Sequence, residues 1–140
     1  MNPSAAMGDA VRFTEGDRLG TGEYRELRSA AGWAEPGLAE DALDRALAVS
    51  WNVTARVDSG RLIGMGRLHD DGLYASIWDM IVRPECRRRG VGGEIFTRLM
   101  HRCQGRSLVV LVATAQGAPM YRARGFAEQS RGSTALFRRG

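Results

Sequence analysis

Residues 83–100 read RPECRRRGVGGEIFTRLM, and that order of residue types leaves the backbone few options. Pro84 has no amide hydrogen and a fixed φ, so it ends the strand-like run ASIWDMIV that precedes it. Gly90, Gly92 and Gly93 have no Cβ, so the chain can turn sharply there and approach another group closely. Behind them Ile95, Phe96, Leu99, Met100 and Cys103 recur at helical spacing. A strand, a glycine loop and an amphipathic helix are therefore expected in succession. The next run, SLVVLVAT, is almost continuously apolar and predicts a strand covered on both faces. Strand, helix and strand in this order predict a crossover unit in a mixed α/β sheet.

The remaining elements follow from simpler signals. VRFTEGD predicts a short first strand. In TGEYRELRSAAG, Leu27, Ala30 and Ala31 fall at helical spacing after Thr21, and Gly32 supplies a stop. EPGLAEDALDRALAVS predicts a second helix with Leu38, Ala42, Leu43, Ala46 and Leu47 on one face. WNVTARVDSGRLIGMGRLHDDGLYASIWDMIV divides into three strands at Asp58-Ser59-Gly60 and Asp70-Asp71-Gly72. APMYRARGF predicts a short helix ending at Gly125, and TALFRR a closing strand. No repeat or low-complexity linker interrupts the 140 residues. They are expected as one domain, 1–140, with residues 1–9 as a tail.

The chain contains no lysine, and its 20 basic residues are all Arg. Residues 83–140 carry 12 of them against 3 carboxylates, whereas residues 1–82 carry 8 against 13. A basic C-terminal part favours an anionic partner and an acidic N-terminal part a cationic one; an ordinary mixed surface is the plainer alternative. No apolar run approaches the roughly 20 residues that span a bilayer. MNPSAAMGDA lacks the basic and apolar regions of a signal peptide. A cytoplasmic protein without a membrane partner is expected. Cys86 and Cys103 make no disulfide framework, and no Cys/His spacing suits zinc, so no metal is expected. Nor is nucleic acid expected as a partner, since no helix-turn-helix or finger pattern occurs and the arginines focus on a glycine loop.

At that loop, the first amides of the following helix lack intrahelical partners, and the helix dipole adds partial positive charge. Glycines that admit close approach complete a socket for phosphate oxygens. Arg87, Arg88 and Arg89 surround it with fixed charge. The P-loop pattern G-x-x-x-x-G-K-[ST] is absent, and Gly90-Val91-Gly92-Gly93 does not match G-x-G-x-x-G.

What remains, Arg87-x-x-Gly90-x-Gly92 between strand and helix, resembles the pyrophosphate-binding motif [Q/R]-x-x-G-x-[G/A] of the GNAT superfamily of acyl-CoA-dependent N-acetyltransferases. APMYRARGF is similar to the later A-x-x-[F]-Y-x-x-x-G-F segment of that family. The two motifs, in the right order, cover roughly residues 62–127. IGMGRLHDDGLYASIWDMIVRP resembles the subgroup with plant plastid acetyltransferases acting on arylalkylamines such as serotonin and on lysines. Three positions depart from the family pattern: Ala115 replaces an asparagine, Met120 a phenylalanine, and Cys86 a tyrosine or phenylalanine.

The resemblance implies a mixed, mostly antiparallel sheet with a splayed central parallel pair and about four flanking helices. It implies acetyl-CoA as cosubstrate, its pyrophosphate held by Arg87, Arg88, Arg89, Gly90, Val91, Gly92 and Gly93. The backbone of Ile81 and Val82 would pair with the pantetheine arm as an added strand does. An amine would attack the thioester directly, the Ile81 amide would stabilise the oxyanion, and Tyr121 would protonate the departing thiolate. Asp79, a lone carboxylate in SIWDMIV, is the candidate base or ammonium holder; acceptance of hydrogen bonds from backbone or Arg is weighed equally. Glu23, Glu26, His69 and Asp70 are the alternatives to it. Trp33 and Trp78 are candidate walls of an acceptor pocket, with core packing the commoner fate of such a residue. The acceptor is expected to be a small amine. A protein lysine or N-terminus, and a non-catalytic acyl-CoA-binding module, are the alternatives, and a homodimer is left open.

Overall fold

A computed structural model describes residues 10–33 and 37–139. The expected tail, residues 1–9, lies outside the described residues. Five strands form one sheet in the order β1-β2-β3-β4-β5. These are β1 (Arg12–Glu15), β2 (Trp51–Arg56), β3 (Leu62–Asp70), β4 (Tyr74–Val82) and β5 (Leu108–Leu111). The first four are antiparallel neighbours, and β5 runs parallel to β4. Helices α1 (Thr21–Ala30) and α2 (Glu40–Val49) precede β2. Helix α3 (Val91–Arg102) makes the crossover from β4 to β5, and the short α4 (Ala118–Arg122) follows.

The punctuation read from the sequence acts as expected. Gly32 adopts φ +81 beyond α1, and the Trp33 amide reaches back to the Arg28 carbonyl at 2.8 Å, a glycine-dependent helix stop. The carboxylate of Asp71 accepts the amides of Leu73 and Tyr74, each at 2.8 Å, and closes the β3–β4 turn. Pro84 opens a single 3-10 turn, Pro84–Cys86, where the strand ends.

The sheet is covered on both faces. On one, Val91, Ile95, Phe96 and Leu99 of α3 and Tyr121 of α4 bury against Val53, Ile63, Leu68 and Ile77. On the other, Tyr24 and Leu27 of α1 and Leu43 and Leu47 of α2 pack on Leu62, Met65 and Ile81. Cys86 is fully buried with the first group, and burial raises its thiol pKa, so it remains a protonated packing residue.

The C-terminal part differs from the sequence expectation. Beyond Thr134, TALFRR is not a strand, and Leu136 and Phe137 are exposed. A separate hairpin of β6 (Gln129–Ser130) and β7 (Ser133–Thr134) ends on the first residue of that run. No described strand lies beyond β5, so the parallel pair is the outer one, and LVVL is not covered on both faces. Leu108 and Val110 are 44% and 42% exposed. The apolar run recorded strand propensity correctly but could not record how many neighbours the strand has.

Helix α3 sits close to β3 because that strand carries Gly64 and Gly66. A methyl on Gly66 would meet Leu99 Cδ1 and Met80 Sδ at 2.7 Å, and one on Gly64 would meet the Ile81 carbonyl oxygen at 3.2 Å. Overpacking of this kind costs about 1–3 kcal/mol. Gly66→Ala is therefore expected to lower the thermal midpoint by several degrees, measured by calorimetry on the purified variant.

Candidate active site

The site is built where β4 leaves β5. The two strands pair only from Tyr74–Leu108 to Ile77–Leu111, yet β4 continues to Val82. The departure coincides with a bulge. Between Met65/Ile81 and Arg67/Trp78 the register gains one residue on β4, and Asp79 there has φ +53. A bulge residue of this kind bends its strand and increases its twist.

Asp79 is held by three side chains from two elements. Its Oδ1 accepts from Arg28 Nη1 of α1 at 2.7 Å, and its Oδ2 from Arg67 Nε of β3 at 2.7 Å. The hydroxyl of Tyr24, also on α1, donates to the same Oδ2. Both guanidinium groups lie against the Tyr24 ring, at 5.6 and 5.9 Å from its centroid. Burial, and then the Asp79 charge, raise the Tyr24 pKa, so it stays a donor. Of the two roles weighed for Asp79, acceptance of bonds from Arg is the one this geometry provides.

The alternative carboxylates are also bound by Arg. Glu23 takes both ends of the Arg56 guanidinium, at 2.8 and 2.9 Å, and that fork lowers its pKa. Glu26 grips Arg83, a residue only 4% exposed at the end of β4, and its pKa falls for the same reason. Asp70 accepts Arg106 at 2.6 and 2.7 Å and is lowered to about 2, first by that bond and then by the Gly72 amide. His69 is exposed at the far end of β3.

The glycine loop follows β4 directly. Gly90 caps α3 with φ +82, and Arg88 before it is also left-handed, φ +63. Alternating left-handed residues turn successive amides toward one concavity. The first intrahelical bond runs from Glu94 to the Gly90 carbonyl at 3.0 Å. The amides of Val91, Gly92 and Gly93 therefore have no partner within the helix. Arg87 bends back and donates from Nε to the Val82 carbonyl at 3.1 Å. Arg89 turns to the β1 side, where it lines an open cavity of about 660 Å³ with Phe13 and Arg98.

Backbone direction separates Ile81 from Val82. The Arg83 amide bonds to the Ile63 carbonyl at 2.9 Å, so Arg83 faces β3. Strand groups alternate sides, which turns Ile81 inward to β3 and Val82 outward. The Ile81 carbonyl oxygen indeed lies beside Gly64 of β3. The outward groups beyond the bulge thus belong to Val82 and, one pleat earlier, to Met80. The Ile81 assignment fails by one residue, because strand parity is set by pairing with β3 and not by the local sequence.

Tyr121 is 8% exposed, with its ring edge-on to Phe96 at 5.2 Å and Phe126 at 6.3 Å. Burial raises its pKa, and the nearby Arg124 charge opposes that shift. Trp33 is half-buried against the α1–α2 core, whereas Trp78 is 42% exposed with its Nε1 donating to Ser76 Oγ at 2.8 Å. Of the two tryptophans, Trp78 is the one on an exposed strand face. Among the described residues no group of three or more His, Cys, Asp or Glu could hold a metal ion. No described helix is long and apolar enough to cross a membrane.

A mixed sheet splayed at β4–β5, with a glycine-capped crossover helix at the opening, defines the acyl-CoA-dependent acetyltransferase class. Residues 15–132 match the acetyltransferase (GNAT) family, and the chain belongs to it. It is 32% identical over 130 residues to "Serotonin N-acetyltransferase 2, chloroplastic" of Oryza sativa subsp. japonica, covering 88% of this chain and 64% of that protein. The chain thus spans just under two thirds of that relative's length. A probable acetyltransferase from meticillin-resistant Staphylococcus aureus is 25% identical with a TM-score of 0.79, covering 94% of this chain and 100% of that one. A predicted acetyltransferase from Clostridium acetobutylicum, solved with acetyl-CoA, shares the fold at 18% identity and a TM-score of 0.67, over 91% of this chain and 96% of that one.

Removing one partner of a buried ion pair strands the others and costs about 3–5 kcal/mol. Asp79→Asn should lose stability on that scale in urea unfolding, since Arg28 and Arg67 keep their charges. Asp70 makes a prediction about pH. Its folded pKa lies below the unfolded value of about 3.9, so its stabilisation is present above pH 4 and disappears as pH falls toward 2. The gap in thermal midpoint between wild type and Asp70→Asn should accordingly narrow from pH 5 to pH 2.

Proposed function

We propose that this protein is an acetyl-CoA-dependent N-acetyltransferase acting on a small primary amine that carries an aryl group. The observation that carries the reading is the end of β4–β5 pairing at Ile77 and Leu111, while β4 runs on unpaired on that side to Val82 and leads through one turn to the glycine-capped start of α3. A linear cofactor can lie along the freed edge of β4, as an added strand would. Its diphosphate then meets the unpaired amides of Val91, Gly92 and Gly93, with Arg87, Arg88 and Arg89 supplying charge around them. The outward backbone of Val82 serves the pantetheine arm, with Arg87 yielding the Val82 carbonyl.

The reaction is direct. The nitrogen lone pair attacks the thioester carbon, the C–N bond forms, and the C–S bond breaks. The outward Met80 amide is placed to stabilise the oxyanion. Tyr121 protonates the leaving thiolate; its raised pKa keeps the hydroxyl protonated at neutral pH. Asp79, Glu23, Glu26 and Asp70 are all committed to Arg partners. Removal of the amine proton therefore falls to solvent at the mouth of the splay. Asp79 keeps the mouth in shape instead.

The acceptor face is aromatic. Trp78 and Tyr74 stand exposed on one face of β4, with Leu108 and Val110 beside them on β5. An arylalkylammonium fits such a wall through ring contacts and cation–π attraction. The relationship to a protein named serotonin N-acetyltransferase supports the same substrate class. A thiol-release assay with acetyl-CoA and a panel of arylalkylamines, polyamines and lysine peptides tests it; turnover confined to lysine peptides would overturn the small-amine reading. Tyr121→Phe should lower kcat about 100-fold or more while CoA affinity by calorimetry stays within about two-fold, because the hydroxyl acts on sulfur and not on the diphosphate.

A further inference from the structure

Arg124 takes no part in the ion pairs of the site and has no carboxylate partner among the described residues. Its guanidinium lies over the ring of Phe96, 5.6 Å from the centroid, on the side of α3 that faces α4. Its Nη2 comes within 3.1 Å of the point where a Gly93 Cβ would stand. The head group is thus carried from the end of α4 to the first turn of α3. Gly93, the residue it lies beside, is in the first turn, whose amides have no partner within the helix. Arg122, two residues earlier, instead forms a fork with Glu128. The two neighbouring arginines are therefore not equivalent: one is neutralised on the surface, the other is held beside the first turn of α3.

We propose that Arg124 is a specificity-determining cofactor residue that donates from its guanidinium to the diphosphate of acyl-CoA across the first turn of α3. The proposal rests on the acyl-CoA reading and deepens it. Arg is suited to the task because its planar fork presents paired donors to phosphate oxygens and its face stacks on an aromatic ring. A Cβ at Gly93 would crowd Nη2 at 3.1 Å, so the guanidinium would have to shift by a few tenths of an ångström. The contact would also join the two ends of the site. Arg124 lies three residues beyond Tyr121, and its charge already reaches that hydroxyl. Diphosphate binding would consequently fix the short helix that carries the acid.

The test measures dissociation constants by calorimetry for CoA, 3′-dephospho-CoA and pantetheine, with wild type, Arg124→Gln and Arg124→Lys. The expected result is that Arg124→Gln weakens CoA and 3′-dephospho-CoA by the same factor, about ten-fold or more. Pantetheine, which has no diphosphate, should weaken by much less. Arg124→Lys should recover part of the loss because it keeps the charge but not the fork. If CoA alone weakens, the guanidinium serves the 3′-phosphate and the diphosphate assignment is overturned. If all three weaken by one factor, Arg124 acts only through its stacking on Phe96, and the proposal likewise falls. If neither Arg124→Gln nor Arg124→Lys folds, the residue serves the fold and not the cofactor, which also overturns the proposal. Wild type that binds CoA no better than pantetheine would sink the acyl-CoA reading itself. Wild type that prefers CoA, with Arg124→Gln keeping the full preference, would sink only the role of Arg124.

Discussion

The carboxylate of Asp79 holds the site open. A non-glycine residue at φ +53 stores on the order of 1–3 kcal/mol of backbone strain and persists only where its surroundings over-determine it. Here the surroundings are two guanidinium groups and a phenol, supplied by α1 and β3. Charge-assisted bonds of this kind are roughly twice as strong as neutral ones, and three of them offset the strain. The bulge they stabilise turns β4 away from β5 after Ile77. The same carboxylate fixes α1 to the sheet, so the helix that roofs one face and the bend that opens the edge share one anchor.

A chain whose bases are all arginine gives its carboxylates a particular fate. Arg cannot lose its proton at any ordinary pH and binds a carboxylate through two parallel donors. Glu23, Glu26 and Asp70 are held in such forks, by Arg56, Arg83 and Arg106. Much of the described acidity of residues 1–82 is therefore neutralised by Arg partners. On the proposed reading, attraction of an amine falls to the aromatic face of β4. The surplus positive charge remains near the start of α3, where Arg87, Arg88 and Arg89 precede the cap. Composition alone could not separate these outcomes, because a carboxylate paired across 33 or 57 residues counts the same as a free one.

Local signals were legible where one residue dictates backbone shape. Pro84, Gly32, the aspartates of the β3–β4 turn and Gly90 before α3 each act through their own covalent structure and stand where they were expected, whereas Gly92 and Gly93, expected in the loop, lie in the first turn of the helix. Legibility ended where the deciding partner is distant. Asp79 is defined by Tyr24 and Arg28, 55 and 51 residues earlier, and no periodicity in SIWDMIV refers to them. The inward direction of Ile81 depends on pairing with β3, and parity shifts by one at the bulge. The exposure of β5 and the lack of a closing strand at TALFRR share a cause: a strand-forming run does not specify whether another strand will lie beside it. Arg83 and Arg124 carried no signal at all. Their importance comes from which helix ends beside which strand.

The crossover helix α3 joins binding to chemistry by rigid packing. Its first turn presents amides to an anion, and one turn further Phe96 is fully buried, edge-on to both Tyr121 and Phe126. Edge-to-face ring pairs contribute about 0.5–1.5 kcal/mol each beyond the area they bury, and they fix orientation as well as distance. Helix α4 is only five residues long, too short to hold a geometry by its own hydrogen bonds. Tyr121 is therefore positioned by α3 more than by its own helix. A catalytic hydroxyl displaced by about 1 Å can lose two orders of magnitude in rate. On the proposed reading, an acid packed against α3 avoids that loss, because a shift of that helix moves the cofactor and the acid together.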